Sequence, residues 1–163
     1  MSDDSLIIYE EEITRIDALM AKMLNGAEAK CALLVDKDGH LITRQGFTHS
    51  LDTTALAALL AGAFASTKEI ARLVGEPEFS VLFHQGKKDH IHMTIVGERS
   101  ILVVIFDDRT TIGMVRLFAK ETAAELTKVF EDVKQKSTSG KKPELSREFT
   151  DAAQSKLDDI FQD

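Results

Sequence analysis

The strongest structural signal in this chain is the run Ile101-Leu102-Val103-Val104-Ile105-Phe106, six apolar residues between Ser100 and Asp107. A run of this length is short for a helix and typical of a strand. A strand with one face in water would alternate apolar and polar side chains, so the continuous run predicts a central strand covered on both faces. We therefore expect a sheet with helices packed on both sides.

Two further strands precede this run. Residues 90–96 alternate strictly between polar and apolar side chains, residues 79–84 alternate less regularly, and a turn at residues 85–89 lies between them. Strict alternation is the pattern of a half-buried strand. The three segments predict three consecutive strands, of which the last is the most deeply buried.

The remaining elements are three helices and a hairpin. The first helix is predicted from near Tyr9 to a stop at Asn25-Gly26, the hairpin at 31–35 and 41–46, the second helix from the N-cap Asp52 to Gly75, and the third from about Thr110 to about Lys134. This order, with a five-stranded sheet, predicts an α/β fold of the three-layer α-β-α type.

The residues after the third helix divide into two parts. Residues 137–146 have the Ser, Thr, Gly, Lys and Pro content of a flexible linker. Beyond them, Phe149, Leu157, Ile160 and Phe161 fall on one face of a short amphipathic helix, which needs a surface to dock on. We predict one domain over 1–136, a linker over 137–146 and a C-terminal amphipathic helix over 147–163.

The second helix carries two different faces. We predict that its core face is formed by the larger apolar residues at helical spacing: Leu56, Leu59, Ala63, Ile70 and Val74. The opposite face is formed by small residues and two charged ones: Ala58, Ala61, Gly62, Ala65, Glu69 and Arg72. Small residues let another backbone come close, so this face predicts a contact surface. Alanine is also simply the best helix former, but Gly62 costs helix stability and favours the contact.

Composition and charge exclude several classes of protein. The 163 residues carry a formal net charge of -7, which argues against a nucleic-acid partner because phosphate binding needs clustered Lys and Arg. The one cysteine, Cys31, cannot form a disulfide within the chain. The first residues are acidic and lack the basic start of a secretory signal. The apolar runs are too short to span a bilayer. We expect a soluble, cytoplasmic protein.

Motifs for catalysis or cofactor binding are missing from the sequence. There is no G-x-x-x-x-G-K-[ST], no G-x-G-x-x-G and no G-x-S-x-G, so we predict no catalytic residues and no cofactor. Arg109, in a short loop, has two interpretations. It could reach into a GTPase as an arginine finger, or it could pair with Asp107 or Asp108 in its own turn, which is the interpretation that the sequence favours.

Three histidines offer a metal-site alternative. His90 and His92 share a strand face, and His84 lies across the same predicted hairpin. Three imidazoles could bind zinc. The fixed spacing of a metal motif is absent, so we expect a polar strand face or a partner surface and no metal site.

The element order resembles the Roadblock (dynein light chain) family. Within that family, short stretches resemble the members that act on Ras-like GTPases of the MglA type: Tyr9-Glu10-Glu11-Glu12, Leu34-Val35-Asp36-Lys37, Leu51-Asp52-Thr53-Thr54, Met93-Thr94-Ile95-Val96-Gly97, Leu102-Val103-Val104-Ile105-Phe106-Asp107 and Glu125-Leu126-Thr127-Lys128. Their joint order and spacing cover about Tyr9 to Val133. The C-terminal segment is similar more loosely, mostly at 157–161.

The resemblance implies a homodimer and a partner. Family members pair their edge strands, here Phe79, Val81 and Phe83, and pack their second helices together, which would place Ala58, Ala61, Gly62, Ala65, Glu69 and Arg72 at the dimer and GTPase interface. One MglA-type Ras-like GTPase would bind per dimer. It would hydrolyse GTP faster because its switch regions are reordered, without an arginine finger, in the control of cell polarity and motility.

The resemblance leaves open the role of the C-terminal segment and the choice between an activator and a scaffold. The C-terminal segment, through Phe149, Leu157, Ile160 and Phe161, is similar to one that makes a further contact with the GTPase. Other Roadblock proteins are scaffolds that tether a GTPase or a motor complex without accelerating hydrolysis. The alternative function is therefore a non-catalytic scaffold.

Overall fold

The computed structural model describes residues 10–138. Its elements, in chain order, are α1 (Glu10–Ala27), β1 (Cys31–Asp36), β2 (Leu41–Gly46), α2 (Thr53–Val74), β3 (Val81–Gln85), β4 (His90–Val96), β5 (Ser100–Phe106) and α3 (Ile112–Thr138). The predicted element order is confirmed, and α3 continues four residues beyond the predicted end at Lys134.

The five strands form one sheet in the order β2-β1-β5-β4-β3, and all the pairs are antiparallel. β5 lies at the centre, and each of its seven residues is buried. This confirms the interpretation of the apolar run, because a central strand with both faces covered has no water-facing positions to make polar. β2 and β3 are the two edges.

Each face of the sheet packs against helices. On one face, α1 and α3 share a core with the sheet that includes Met20, Leu34, Val104 and Leu126. On the other face, α2 packs against Leu33, Met93 and Val103. The predicted three-layer architecture is confirmed.

The two ends of α2 are set by the capping residues Asp52 and Gly75. The Asp52 side chain accepts a hydrogen bond from the Ala55 N–H at 3.0 Å, and Gly75 ends the helix with a φ of 81°. An N-cap carboxylate and a left-handed glycine satisfy backbone groups that a helix end leaves without partners.

The predicted stop of α1 at Asn25-Gly26 is wrong. The helix continues to Ala27, and the residue with positive φ is Glu28, at 55°. Gly26 has another role, because a Cβ built on it would lie 2.5 Å from Cε1 of Phe118. Gly26 is therefore the position where a ring of α3 comes against the backbone of α1.

The chain divides into two compact units, residues 1–130 and residues 131–163. In the second unit the structure describes the end of α3, up to Thr138. The predicted C-terminal helix, with Phe149, Leu157, Ile160 and Phe161, lies outside the described residues, as do residues 139–146 of the predicted linker.

Candidate protein-interaction surface

The buried face of α2 differs from the predicted one. The residues that pack on the sheet include Ala57, Leu60, Ala61 and Phe64. Leu59, Ile70 and Val74, which were predicted as core, are 72%, 53% and 63% exposed, so that assignment is wrong. The physical reason is that α2 carries apolar residues on most of its circumference, and two apolar stripes satisfy the same helical period.

The exposed large residues of α2 form a distinct surface. Leu59, Ile70, Leu73 and Val74 are all more than half exposed, and we call them the apolar stripe of α2. Single exposed apolar side chains are ordinary, but several on one helix face are typical of a surface that another protein covers. Sequence reasoning missed this stripe, although Leu60 and Phe64, spaced by four, signalled a competing inner face.

The small residues predicted as an interface are divided by the fold. Ala58, Gly62 and Ala65 are exposed, and with Glu69 and Arg72 we call them the small-residue flank of α2. Ala61 is only 4% exposed and belongs to the core, so it contributes little to the surface of α2. Glu69 and Arg72 bond to each other, with Arg72 Nη2 at 3.0 Å from Glu69 Oε2.

Gly62 has no neighbour among residues 10–138 that would explain it. A Cβ built on it would meet no heavy atom within 4 Å among the described residues. A glycine inside an exposed helix costs about 0.5–1 kcal/mol relative to alanine. Packing among the described residues therefore gives no reason for Gly62, in contrast to Gly26.

Within the part of the chain that the structure describes, the edge strand β3 presents backbone groups without hydrogen-bond partners. The Ile95 N–H donates to the Ser80 carbonyl at 3.0 Å, and the register pairs Val81 with Thr94. In an antiparallel pair the residues alternate between bonding the neighbouring strand and pointing away from it. Val81 and Phe83 therefore direct their N–H and C=O groups to the open edge. Phe79, predicted in this strand, lies before it and is 36% exposed.

The sheet face under α2 is incompletely covered. α2 approaches the sheet most closely over β1 and β2. Toward the β3 edge, Leu82, Ile91 and Ile95 point to the same face and are only partly buried. The incomplete cover of β3 and β4 therefore lies on the face of the sheet that packs against α2.

The three histidines are not brought together. The register pairs Phe83 with His92 and His84 with Ile91, so His84 points to the face of the sheet opposite to His90 and His92. His92 is 1% exposed, and burial, followed by the charge of Arg116, lowers its pKa. Within residues 10–138 there is no group of three or more His, Cys, Asp or Glu placed to hold a metal ion.

Two other reactive side chains have structural roles. Arg109 Nε donates to Asp107 Oδ1 at 2.9 Å, which confirms the pairing within its own turn. This bond lowers the pKa of Asp107. Cys31 is buried in β1, and burial raises its pKa to about 11, so its thiol is poorly suited to nucleophilic chemistry.

Within residues 10–138, none of the helices is long and apolar enough for a membrane span.

Comparison with known proteins identifies relatives of this fold. The Roadblock/LC7 domain profile matches residues 15–106. The structure of MglB from Myxococcus xanthus aligns at 51% sequence identity and a TM-score of 0.74, covering 78% of this chain and 96% of that chain.

Two further solved structures align at lower identity. The gliding protein MglB from Thermus thermophilus aligns at 29% identity and a TM-score of 0.73, covering 78% of this chain and 97% of that chain. A structure described as MglB with a tetrameric arrangement aligns at 29% identity and a TM-score of 0.75, covering 79% and 97%. The predicted Roadblock-like fold and its MglB-like form are confirmed.

Proposed function

This chain belongs to the Roadblock/LC7 domain family, and from that premise we propose that it is a dimeric activator of a Ras-like small GTPase of the MglA type. The chain has no active site of its own in this proposal. One dimer binds one GTP-loaded GTPase in the cytoplasm, and GTP hydrolysis accelerates. The downstream process is the control of cell polarity and motility.

The observation that carries the proposal is the exposed surface of α2. A chain with no motif for its own chemistry presents four large apolar side chains, Leu59, Ile70, Leu73 and Val74, more than half exposed on one helix. Burying apolar surface is worth about 25 cal/mol per Å², so such a surface favours association with another protein. The likeness to MglB at 51% identity supports a GTPase regulator as its role.

We assign the two surfaces of α2 to different partners. The apolar stripe of α2 and the open edge of β3 form the homodimer seam in this assignment, since the first exposes large apolar side chains and the second directs backbone groups away from the sheet. The small-residue flank of α2 then faces the GTPase, where Gly62 and Ala65 permit close backbone approach. The tetrameric arrangement of a related MglB supports self-association in this group.

The activation mechanism that fits these residues is a population shift. A partner that binds the hydrolysis-competent arrangement of the switch loops more tightly raises the fraction of GTPase in that state. An arginine finger is not needed. Arg109 is held by Asp107, and Arg72 is held by Glu69, which agrees with a regulator that acts by positioning.

The decisive experiment is single-turnover GTP hydrolysis by purified MglA-type GTPase with increasing amounts of this protein. We expect a large acceleration that saturates near two chains per GTPase. Binding without acceleration would favour the scaffold alternative, and absence of binding would refute the proposal.

A substitution tests the assigned GTPase surface. Ala65→Arg places a long charged side chain on the small-residue flank, and we expect it to abolish GTPase binding while leaving the fold intact, because Ala65 is exposed. Ala124→Arg makes the same change at an exposed alanine of α3, on the other face of the sheet, and serves as the control. Binding by Ala65→Arg as tight as that by the control would contradict the assignment.

A further inference from the structure

A shallow groove lies between α2 and the ends of β4 and β5. Its floor is apolar and includes Ala61 and Ala65 from α2 and Ile95 from β4. Its rim carries Lys37, Lys68 and Arg99, together with one carboxylate, Glu98. We call this feature the basic groove. Ala65 belongs also to the small-residue flank of α2, so the groove borders the surface that we propose faces the GTPase.

The charged side chains of the basic groove are mainly positive, whereas the chain as a whole has a negative net charge. Three cations and one carboxylate meet here on a protein whose formal net charge is -7. Two other lysines have acidic partners: Lys30 lies 3.1 Å from Asp89, and Lys128 lies 3.4 Å from Glu125. Lys37 and Lys68 are exposed, and within residues 10–138 their ammonium groups have no ion-pair partner.

The chemistry of the basic groove selects one kind of occupant. Its cations complement carboxylates, and its apolar floor offers a contact surface to an apolar side chain. A polyanion such as nucleic acid is disfavoured by the net charge of the chain. The groove also lies along the middle of α2, away from the N-terminal N–H groups that bind phosphate. A protein segment with carboxylates around an apolar residue satisfies both halves of the groove.

We propose that the basic groove binds an acidic surface segment of the GTPase. This inference rests on the proposed function and names the charge pattern that the partner must present. Rim charges act mainly by steering the encounter and setting its salt dependence. The affinity of the complex should therefore fall as ionic strength rises, because exposed charges are screened beyond about 10 Å at 0.1 M salt.

The test reverses the two unpaired charges in the full-length chain. We expect Lys37→Glu/Lys68→Glu to bind the GTP-loaded GTPase about tenfold more weakly at low salt, with most of the salt dependence lost. The control is Lys22→Glu/Lys120→Glu, which makes the same charge change at two exposed lysines on the opposite face of the sheet. Both variants should melt within a few degrees of the parent, since all four side chains are exposed.

The outcomes separate this inference from the function on which it rests. If the unmodified protein accelerates hydrolysis and the two variants bind the GTPase equally well or equally weakly, the proposed role of the groove is refuted and the activator function is retained. A parent that does not bind the GTPase would overturn both. Weaker binding by the groove variant only, with its melting temperature retained, would support the groove.

Discussion

Gly26 shows how one residue sets the distance between two helices. A Cβ at this position would lie 2.5 Å from Cε1 and 2.8 Å from Cζ of Phe118. We expect Gly26→Ala to lower the free energy of unfolding, because an overpacking cost of about 1–3 kcal/mol exceeds the gain of at most about 1 kcal/mol from helix propensity. Urea denaturation measures the change.

Two comparisons isolate the contact between Gly26 and Phe118. Gly113→Ala is the control, because the nearest heavy atom to its added Cβ is 3.9 Å away, and it should not destabilise the protein. In a Phe118→Leu background the penalty of Gly26→Ala should shrink, since residues in contact do not act additively. An equal penalty in both backgrounds would show that the ring is not the cause.

His92 makes stability depend on pH. Its ring is 1% exposed, neither nitrogen has a hydrogen-bond partner within the described chain, and burial lowers its pKa. The unfolded chain therefore binds a proton at a pH where the folded chain does not, so stability falls as pH drops below the ordinary value of about 6.5.

Replacing His92 tests this linkage. One such group contributes at most about 1.4 kcal/mol of stability per pH unit. Chemical denaturation from pH 7 to pH 5 should show that His92→Leu loses less stability with acidification than the parent chain. Parallel losses in the two proteins would show that His92 is not responsible.

At the scale of elements, α2 packs one face on its own sheet and exposes another, which we propose forms the homodimer seam. We expect Leu59→Arg and Leu73→Arg each to convert the dimer to a monomer, because a charged side chain replaces one that is 72% or 78% exposed and available to the partner. Light scattering after size-exclusion chromatography measures the mass. The fold should persist, since outward substitutions usually change stability by less than about 0.5 kcal/mol.

The matched control for α2 lies on α3. Leu117 is 53% exposed on the opposite layer of the sheet, so Leu117→Arg makes the same chemical change away from the proposed seam. It should leave the mass of the dimer unchanged. A dimer that survives Leu59→Arg and Leu73→Arg but dissociates with Leu117→Arg would move the seam to α3.

At the scale of the whole molecule, the proposed dimer continues the sheet across the β3 edges. Val81 directs its N–H to the open edge, whereas the Leu82 N–H faces β4. Proline has no N–H and is tolerated on edge strands where that group faces outward. Val81→Pro should therefore weaken the dimer and preserve the subunit, as measured by sedimentation and by circular dichroism.

Leu82→Pro is the informative counterpart. It removes a bond between β3 and β4, so we expect it to destabilise the subunit itself, seen as a lower melting temperature. If Val81→Pro left the dimer intact, the edge-strand part of the seam would be refuted, and the apolar stripe of α2 would have to carry the association without it.

The local signals of the sequence predicted most of the fold. Asp52, Gly75 and the run from Ile101 to Phe106 act within their own segments, through a cap, a left-handed backbone and continuous burial. Such signals predict where an element begins, where it ends and how deeply it lies. The resemblance to the Roadblock family was identified for the same reason, because each of the stretches that carry it is a local signal of one element.

The sequence by itself thus determined the elements, their order and the family, whereas only the tertiary structure decided which surfaces meet. Helical periodicity is satisfied equally by the inner face of α2 and by its exposed apolar stripe, and the sheet selects between them by packing Leu60 and Phe64. The strand register likewise separates His84 from His92. The helical or strand period relates residues within one element. Which face of a helix packs on the sheet, and which residues pair between strands, depend on another element that is distant in the chain.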